Sequence, residues 1–263
     1  MTRLRRLSSK RSQRDQGRVF VAEGAKVVEA ALHAGAVIEA IYCDPGSPGL
    51  VALEPLIESA RAHGVRIFGL EAGVLERVSD TVTPQPILAV VNFIDRPLET
   101  IVRGVVLVLV DVRDPGNIGS ILRSADAAGV DAVILCDGCG DLYNPKTVRA
   151  SAGSLFHLPV VRGGDPESVL GALEGIGFAT CATLAREAED YAIAELLSPL
   201  ALVFGNEARG LDAKIASRCS RAVSVPIAGG AESLNVAMAA TVIAFELARR
   251  RRHGGREALS MNV

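Results

Sequence analysis

The stretch Val225-Pro-Ile-Ala-Gly-Gly-Ala-Glu-Ser-Leu-Asn-Val236, which runs into a long apolar segment, decides how this chain is built. Pro226 fits the end of a strand, because proline cannot donate a hydrogen bond to a sheet ladder. Gly229 and Gly230 permit backbone shapes that side chains would forbid. Ser233 has the hydroxyl of a helix N-cap. The stretch predicts a strand, a loop and a capped helix, a combination common to many α/β proteins.

The same succession of helix, glycine and β-rich run recurs along the chain. Glycines that follow helical patterns and precede apolar runs are Gly35, Gly64, Gly129 and Gly177. Glycine just past a helix adopts the left-handed conformation that ends it. Helices that alternate with short apolar strands indicate parallel sheets with helices on their faces. The sequence therefore predicts an α/β protein.

The composition limits the classes of function. The 263 residues suffice for two compact domains or one large one, and with 4% aromatic residues and no tryptophan we expect no base-stacking platform. No apolar run approaches the roughly 18 residues of a membrane span, and the N-terminal segment lacks the apolar core of a signal peptide. Five cysteines in an aliphatic chain indicate a reducing compartment, so we expect a cytoplasmic protein.

A single C-x-x-C pattern, Cys136-Asp-Gly-Cys139, is the one metal-like or redox-like motif. No second pair of cysteines or histidines stands at ligand spacing. We therefore expect no metal.

Basic residues concentrate at both ends of the chain. Residues 1–18 contain seven basic side chains and one acidic, and residues 249–263 contain five and one, although the formal net charge is −2. Basic ends on an acidic body indicate a polyanionic partner, with solubilising tails as the alternative. The N-terminal candidates for contacts to such a partner are Arg3, Arg5, Arg6, Lys10, Arg11, Arg14 and Arg18.

A domain boundary is expected between residues 92 and 104. The polar, proline-containing segment Asp95-Arg-Pro-Leu-Glu-Thr100 separates two strand-like runs. We predict a smaller domain over 1–97 and a second domain over 104–263. The smaller domain begins with the basic residues 1–18, called the basic arm below.

Two further strand-to-helix junctions carry polar residues. The uniformly apolar run 105–110 is typical of a buried strand and leads into a turn-rich segment that ends at Asn117. Asn117 suits the N-cap of the next helix, and Arg123 points away from the apolar stripe of that helix. Because open α/β sheets bind ligands beyond the carboxyl ends of their strands, both are candidates for a site, with capping and a solvated arginine as alternatives.

The second junction follows the apolar run 200–205. Gly205, at the strand end, would allow a ligand to approach the backbone closely. Glu207 and Arg209 come directly after it, and alone they would be explained by a surface salt bridge.

In order, character and spacing, the three junctions resemble the SpoU/TrmH family of RNA ribose 2′-O-methyltransferases, within the SPOUT class. The motifs are N-x-G-x-x-x-R at 117–123, G-N-E-A-R-G at 205–210 and V-P-I-A-G-G-A-E-S-L-N-V at 225–236, so the resemblance covers about residues 104–252. The first part, with V-F-V-A-E-G at 19–24, is similar to the family's L30e-type substrate-binding domain.

The resemblance implies a parallel α/β domain with a C-terminal trefoil knot over about residues 200–252. It also implies S-adenosylmethionine bound in the knot, an RNA substrate, and a homodimer with the site completed near the dimer interface. The cofactor contacts map onto Thr183, Gly205, Val225, Ile227 and Leu234. The functional polar positions fall on Asn117, Arg123, Glu207, Ser233 and Asn235.

Methyl transfer requires a ribose 2′-hydroxyl in line with the sulfonium methyl and a group that takes or screens the hydroxyl proton. A guanidinium, with a pKa above about 12, is a poor base. We therefore expect Arg123 to clamp the phosphate beside the target ribose and to stabilise the developing alkoxide. Ser233 and Asn235 would orient the hydroxyl and Arg123, and Glu207 would hold that loop or Arg123 itself.

Two other classes of protein are possible. A nucleotide-dependent dehydrogenase would need G-x-G-x-x-G after an early strand, which this chain lacks. A non-catalytic RNA-binding protein could retain the fold. Within the methyltransferase interpretation, the two-domain layout resembles the ribosomal RNA branch, so 23S rRNA is favoured over tRNA.

Overall fold

The structure is a computed structural model that describes residues 2–79 and 84–260, with side chains as far as residue 253. Arg256, in the predicted basic end, therefore has no described side chain. In chain order the elements are α1 Thr2–Ser9, α2 Arg11–Gly17, β1 Val19–Glu23, α3 Ala25–His33, β2 Ile38–Cys43, α4 Glu54–Ala62, β3 Ile67–Gly69, α5 Val74–Val78, β4 Ile87–Asn92, β5 Val105–Leu109, α6 Pro115–Ala127, β6 Ala132–Cys136, α7 Pro145–Ala150, β7 Val160–Gly164, α8 Pro166–Gly175, β8 Ala179–Leu184, β9 Glu189–Asp190, β10 Leu200–Phe204, α9 Ala213–Arg218, β11 Arg221–Ser224 and α10 Val236–Ser260. Short 3-10 helices span Pro48–Leu53, Leu98–Thr100 and Ser154–Phe156.

The chain divides into two compact units. Unit 1 comprises residues 1–94 and 141–157, and unit 2 comprises residues 95–140 together with the chain from residue 158 onward. The sequence predicts that everything after residue 104 belongs to the second domain. The segment 141–157 is an exception, because its side chains pack within unit 1.

Unit 1 is built on a four-stranded sheet in the order β1-β4-β2-β3. β4 pairs antiparallel with β1 and with β2, whereas β2 and β3 are parallel. The expectation of a parallel sheet is therefore wrong for this unit. The repeated helix-glycine-strand pattern fixes only the β2–α4–β3 crossover, and the pairing of β4 with β1 joins segments that no local pattern connects.

The predicted basic arm is folded rather than extended. Leu4 and Leu7 of α1 are buried in a core cluster that also contains Val21 of β1 and Leu88 of β4. Apolar residues three apart on a helix lie on one face, which explains why the opposite, arginine-rich face stays in solvent.

Unit 2 contains a seven-stranded sheet in the order β7-β6-β5-β10-β8-β11-β9. Every pairing in it is parallel. Strands β5, β6 and β10 are buried along their whole length, as the uniformly apolar sequences predict. The predicted α/β class with a parallel sheet is confirmed for this unit.

The final helix α10 packs against α6, and the Thr241 hydroxyl donates to the Ser124 hydroxyl between them at 2.7 Å. No helix among the described residues combines the length and the hydropathy that crossing a membrane requires. The fold thus leaves one edge of the parallel sheet, where strands end and α6 and α10 begin, as the natural place for a site.

Candidate active site

Four neighbouring strands of unit 2 end at one edge of the sheet. β5, β10, β8 and β11 are adjacent and parallel, so their carboxyl ends point the same way. The loops that follow them contain the three sequence motifs. The order of strands in the sheet therefore brings together segments that are more than 100 residues apart in sequence.

A cavity of about 240 Å³ lies between the loops after β8, β10 and β11 and the start of α10. This volume suits a small molecule. All five predicted cofactor residues line the cavity: Thr183, Gly205, Val225, Ile227 and Leu234. Glu207 and Ser233 line it too. The wall is largely apolar side chain and backbone, which is typical of small-molecule sites.

Position 205 must be glycine because the backbone of the following loop packs against it. A Cβ there would lie 2.3 Å from the backbone nitrogen of Leu211, because Asn206 and Gly210 exchange two backbone hydrogen bonds and fold the loop back. Glycine at 205 is therefore required by the close approach of the loop backbone, while the backbone of Gly205 still lines the cavity. Gly229 and Gly230 differ: a Cβ at either would meet open space, so the predicted need for glycine there is not borne out by the loop geometry.

Glu207 fastens the loop after β10 to the loop after β5. Its carboxylate accepts hydrogen bonds from the backbone N–H of Asp114 at 2.9 Å, the backbone N–H of Arg113 at 3.2 Å and the side-chain amide of Asn117 at 3.1 Å. Burial opposes ionisation of Glu207, but these hydrogen bonds outweigh it and hold its pKa below the ordinary value. Glu207 is therefore a carboxylate at neutral pH. It does hold that loop, as expected, but it does not contact Arg123.

A series of side-chain hydrogen bonds continues from Glu207 to α10. The side-chain amide of Asn235 donates to Oδ1 of Asn117 at 2.9 Å, and Asn117 in turn donates to Glu207. Three predicted catalytic residues, one from each motif, are thus linked directly. Their relative positions are fixed by hydrogen bonds and do not depend on a ligand.

Two predicted helix caps are wrong. The N-cap of α6 is Asp114, whose carboxylate accepts from the backbone N–H of Asn117, so Asn117 lies inside the helix and its side-chain amide bonds to Glu207 and Asn235. The cap of α10 is Asn235, whose Oδ1 accepts from the N–H of Ala237 at 2.8 Å, so Ser233 lies two residues before it. In both cases a neighbouring residue of equal capping preference has the right backbone position.

The side chains of Ser233 and Arg123 make no hydrogen bond in the part of the chain that the structure describes. Ser233 is exposed on the cavity wall. Arg123 is exposed on α6 and does not line the cavity. Within one chain, therefore, the structure brings together Asn117, Glu207, Ser233 and Asn235 but not Arg123.

Arg209, expected in a surface salt bridge, shares its partner Asp111 with Arg113, a residue that the sequence motifs did not single out. Asp111 takes the left-handed conformation, with φ of 56°, and its carboxylate accepts from Arg113 at 2.7 Å and from Arg209 at 2.6 Å. Burial raises the pKa of Asp111, but these two hydrogen bonds outweigh it and lower the pKa below its ordinary value. Arg113, Arg209, Asn117 and Glu207 line an open cleft next to the cavity. The signal was present in the sequence as Asp111-Val-Arg113, shortly before the first motif.

In unit 1, the prediction of a polyanion contact is wrong for Arg14. Its side chain is only 3% exposed, and its guanidinium donates to the carbonyls of Leu7 and Ser8 and to Asp141. The other candidates keep exposed side chains: Arg3, Arg5, Arg6, Lys10, Arg11 and Arg18. Arg14 therefore differs from the other six candidates because its side chain faces inward from α2.

Cys136 and Cys139 are free thiols, and burial raises their pKa to about 12 and about 11. High pKa values disfavour the thiolate that redox chemistry and metal binding need. The described residues contain no group of side chains arranged to hold a metal ion.

Comparison with known proteins agrees with this geometry. The model of the SpoU rRNA Methylase family matches residues 104–245, more than half of the chain. The chain belongs to the SpoU rRNA methylase family. Residues 1–89 match the MRM3-like substrate binding domain. The family resemblance derived from the three motifs is therefore confirmed, and the chain is an RNA methyltransferase.

Individual members of the family resemble either nearly the whole chain or about half of it. A 23S rRNA (guanosine(2553)-2′-O)-methyltransferase of Bacillus subtilis is 36% identical over 237 residues, which cover 90% of this chain and 91% of the relative. A 23S rRNA (uridine(2479)-2′-O)-methyltransferase of Streptomyces viridochromogenes is 41% identical over 145 residues, or 53% of this chain and 50% of the relative. The SpoU methyltransferase AviRb of Streptomyces viridochromogenes, solved in complex with the cofactor AdoMet, has a TM-score of 0.86 and 31% identity, covering 95% of this chain and 97% of that one.

Proposed function

We propose that this enzyme transfers the methyl group of S-adenosylmethionine to a ribose 2′-hydroxyl of 23S rRNA. The observation that carries the proposal is the hydrogen-bonded series of Glu207, Asn117 and Asn235 beside the cavity. It presents fixed amide groups and an ionised carboxylate where a small-molecule cavity meets an open polar cleft. A donor site joined to an acceptor site in this way is what group transfer between a small molecule and a polymer requires.

The residues of the cavity fit S-adenosylmethionine, which supplies an electrophilic methyl group on a sulfonium when bound. Val225, Ile227 and Leu234 offer apolar surface to the flat adenine ring. The backbone at Gly205 offers N–H and C=O groups to its polar edges. Glu207, which is ionised and lines the same cavity, favours a cationic centre nearby.

The open cleft is the acceptor side of the site. Asn117 and Asn235 are held so that their amides can orient the 2′-hydroxyl, while Arg113 and Arg209 provide positive charge for the RNA backbone. As the oxygen–methyl bond forms, the hydroxyl proton must leave. Since Glu207 has a low pKa and its lone pairs are already used by N–H donors, we assign that proton to solvent water.

Arg123 is assigned the role of binding an RNA phosphate. In a homodimer, Arg123 of one subunit would reach the active site of the other. On α10 the large apolar side chains of Met238, Val242 and Phe245 are exposed, at spacings that place them on one helix face. An exposed apolar face of this kind marks an interaction surface, and a second copy of the chain is the partner that the family resemblance implies. Because α6 packs against α10, Arg123 then lies close to the dimer contact.

The trefoil knot and the L30e type of unit 1 belong to the same proposal. The knot is proposed on the family membership, with β10 lying between β5 and β8 although β8 precedes it in the chain. The mixed sheet of unit 1 and the match of residues 1–89 to a substrate-binding domain support an RNA-selecting role for that unit.

The choice of 23S rRNA rests on the relatives, whose names specify a guanosine in one case and a uridine in the other. The target base is therefore left open. We propose that the enzyme works in the cytoplasm, where rRNA is made, and its free cysteines agree with a reducing compartment.

The test is transfer of a tritiated methyl group to RNA from a strain that lacks the gene. We expect purified enzyme to label 23S rRNA at one ribose and to leave bulk tRNA unlabelled, and mapping of 2′-O-methylation locates the position. Labelling of tRNA in preference to rRNA would overturn the substrate. Binding of S-adenosylmethionine without labelling of any RNA would overturn the activity.

A further inference from the structure

Two aromatic rings stack on the sheet of unit 1. Tyr42 of β2 and Phe68 of β3 are paired in register, and their ring centroids lie 5.5 Å apart with planes inclined by 25°. β3 is the edge strand of the sheet. Tyr42 packs against the core cluster that contains Leu4 and Leu7, so it is fixed, and it supports Phe68 from the inner side.

Phe68 nevertheless keeps 45% of its surface in solvent. The other large apolar side chains exposed in the described part of unit 1 are aliphatic, namely Val37 and Val51. An exposed phenyl ring in this unit is therefore not part of a broad apolar patch of the size that protein partners cover. It is a single flat surface with a preset orientation.

Two arginines stand beside this aromatic pair. Arg3 of α1 forms an ion pair with Glu39 of β2 at 2.7 Å, and the guanidinium of Arg66 donates to the backbone carbonyl of Glu39 at 3.4 Å. The hydrogen bond to Glu39 is the main cause of a raised pKa of Arg3, and Glu39 lies on the same strand as Tyr42. Both arginines are exposed.

We propose that Phe68, supported by Tyr42, is a stacking platform for an unpaired nucleobase of the RNA substrate, and that Arg3 and Arg66 contact the adjoining phosphates. A π face flanked by guanidinium groups matches the two repeating features of single-stranded RNA. The site rests on the proposed function, since it presumes an RNA substrate. The composition predicts no such platform, because the two rings are 26 positions apart in sequence and meet only through the pairing of β2 with β3.

The absence of tryptophan in the sequence gives a direct test. In a Phe68→Trp variant the new indole is the sole tryptophan, and stacking of a base quenches its fluorescence. We expect oligoadenylate and 23S rRNA to quench it with saturation. Val51→Trp is the control, because Val51 is 80% exposed in the same unit and lies on a 3-10 helix outside the platform, so its emission should not change.

Affinity provides the second measurement. Base stacking on an aromatic side chain contributes about 1–3 kcal/mol, so Phe68→Ala should weaken binding of 23S rRNA by about 5- to 150-fold, whereas Phe68→Tyr should bind within about twofold of wild type. Replacing both Arg3 and Arg66 by glutamine should reduce the slope of log K against log salt by about 1.4. Binding of S-adenosylmethionine should be the same in all variants.

The outcomes separate this site from the activity. The platform is overturned if the Phe68→Ala variant binds RNA as tightly as wild type. It is also overturned if the Phe68→Trp variant binds RNA without a change in tryptophan fluorescence. Neither result contradicts the proposed methyltransferase activity. Wild-type enzyme that neither binds nor methylates RNA overturns the proposed function and the platform together.

Discussion

Replacement of Glu207 by glutamine tests whether the carboxylate holds the site together. Glutamine keeps the size of the side chain but removes its charge, and its NH2 group must face one of the three donors that the carboxylate now accepts from: the backbone N–H groups of Arg113 and Asp114 and the amide of Asn117. Hydrogen bonds to a charged group contribute about 1.5–3 kcal/mol each, and neutral ones about 0.5–1.5.

Over three hydrogen bonds, Glu207→Gln would lower the free energy of unfolding by about 3–4 kcal/mol. Solvent screening around the half-buried carboxylate reduces this loss to about 2 kcal/mol. For a unit of this size we expect the melting temperature to fall by about 4–8 °C. Since the same bonds position Asn117, we expect kcat for methyl transfer to fall by about 10- to 30-fold, the equivalent of about 1.4–2 kcal/mol. The dissociation constant of S-adenosylmethionine should change less than threefold.

The pH dependence of stability checks the cause. Because the folded pKa of Glu207 lies below the ordinary 4.5, its stabilisation is fully present above about pH 4.5 and is lost as the pH falls through the folded pKa. The stability difference between wild type and Glu207→Gln should therefore shrink only below about pH 4.5. Calorimetric melting at several pH values measures this. Glu232→Gln is the matched control, because it removes an exposed carboxylate from the neighbouring loop. Equal melting and equal kcat for Glu207→Gln and Glu232→Gln would refute the argument.

Three further changes test other parts of the structure. If Arg123 acts across a dimer, Arg123→Ala and Asn235→Ala should each lower kcat by at least about 100-fold, and mixed dimers of the two should regain up to about a quarter of wild-type activity; no recovery on mixing would place Arg123 in its own subunit's site. Asp111→Ala should free two guanidiniums to move, raising KM for rRNA by about 3- to 10-fold in steady-state transfer assays without changing the melting temperature by more than about 4 °C. Arg14→Ala should destabilise unit 1 by about 3–5 kcal/mol in thermal melting, because it strands a nearly buried Asp141, whereas Arg11→Ala should leave stability within about 0.5 kcal/mol and reduce the salt dependence of RNA binding.

Much of unit 2 is predictable from the sequence, because its buried strands are uniformly apolar and its loops carry motifs. The contact between Asn117 and Asn235 joins residues 118 positions apart, and it depends on which strands are neighbours in the sheet. Strand order is a property of the whole fold, and hydrophobic periodicity does not specify it. The resemblance of the three motifs to a known family predicted that Asn117, Glu207 and Asn235 belong to one site, which hydrophobic periodicity could not predict.

The predictions of the helix caps and of an RNA contact by Arg14 were wrong for local reasons. Asp114 and Asn117, or Ser233 and Asn235, are equally good capping residues, and only the backbone conformation decides between them. Likewise, Arg14 looks in sequence like every other arginine of the arm. Its burial follows from the carboxylate of Asp141, which the sequence places in another domain.

Residues 141–157 belong to unit 1 although residues 95–140, which precede them, belong to unit 2. This order in the chain determines when unit 1 can be completed during translation. Tyr143 stacks on Phe93 with ring centroids 3.9 Å apart and accepts a hydrogen bond from the N–H of Ile94, and Asp141 is the partner of Arg14. A nascent chain that has emerged only as far as residue 97 lacks both. The amino-terminal unit must therefore wait for β5, α6 and β6 to be synthesised before its last aromatic and ionic contacts can close, so the two units mature in overlapping order.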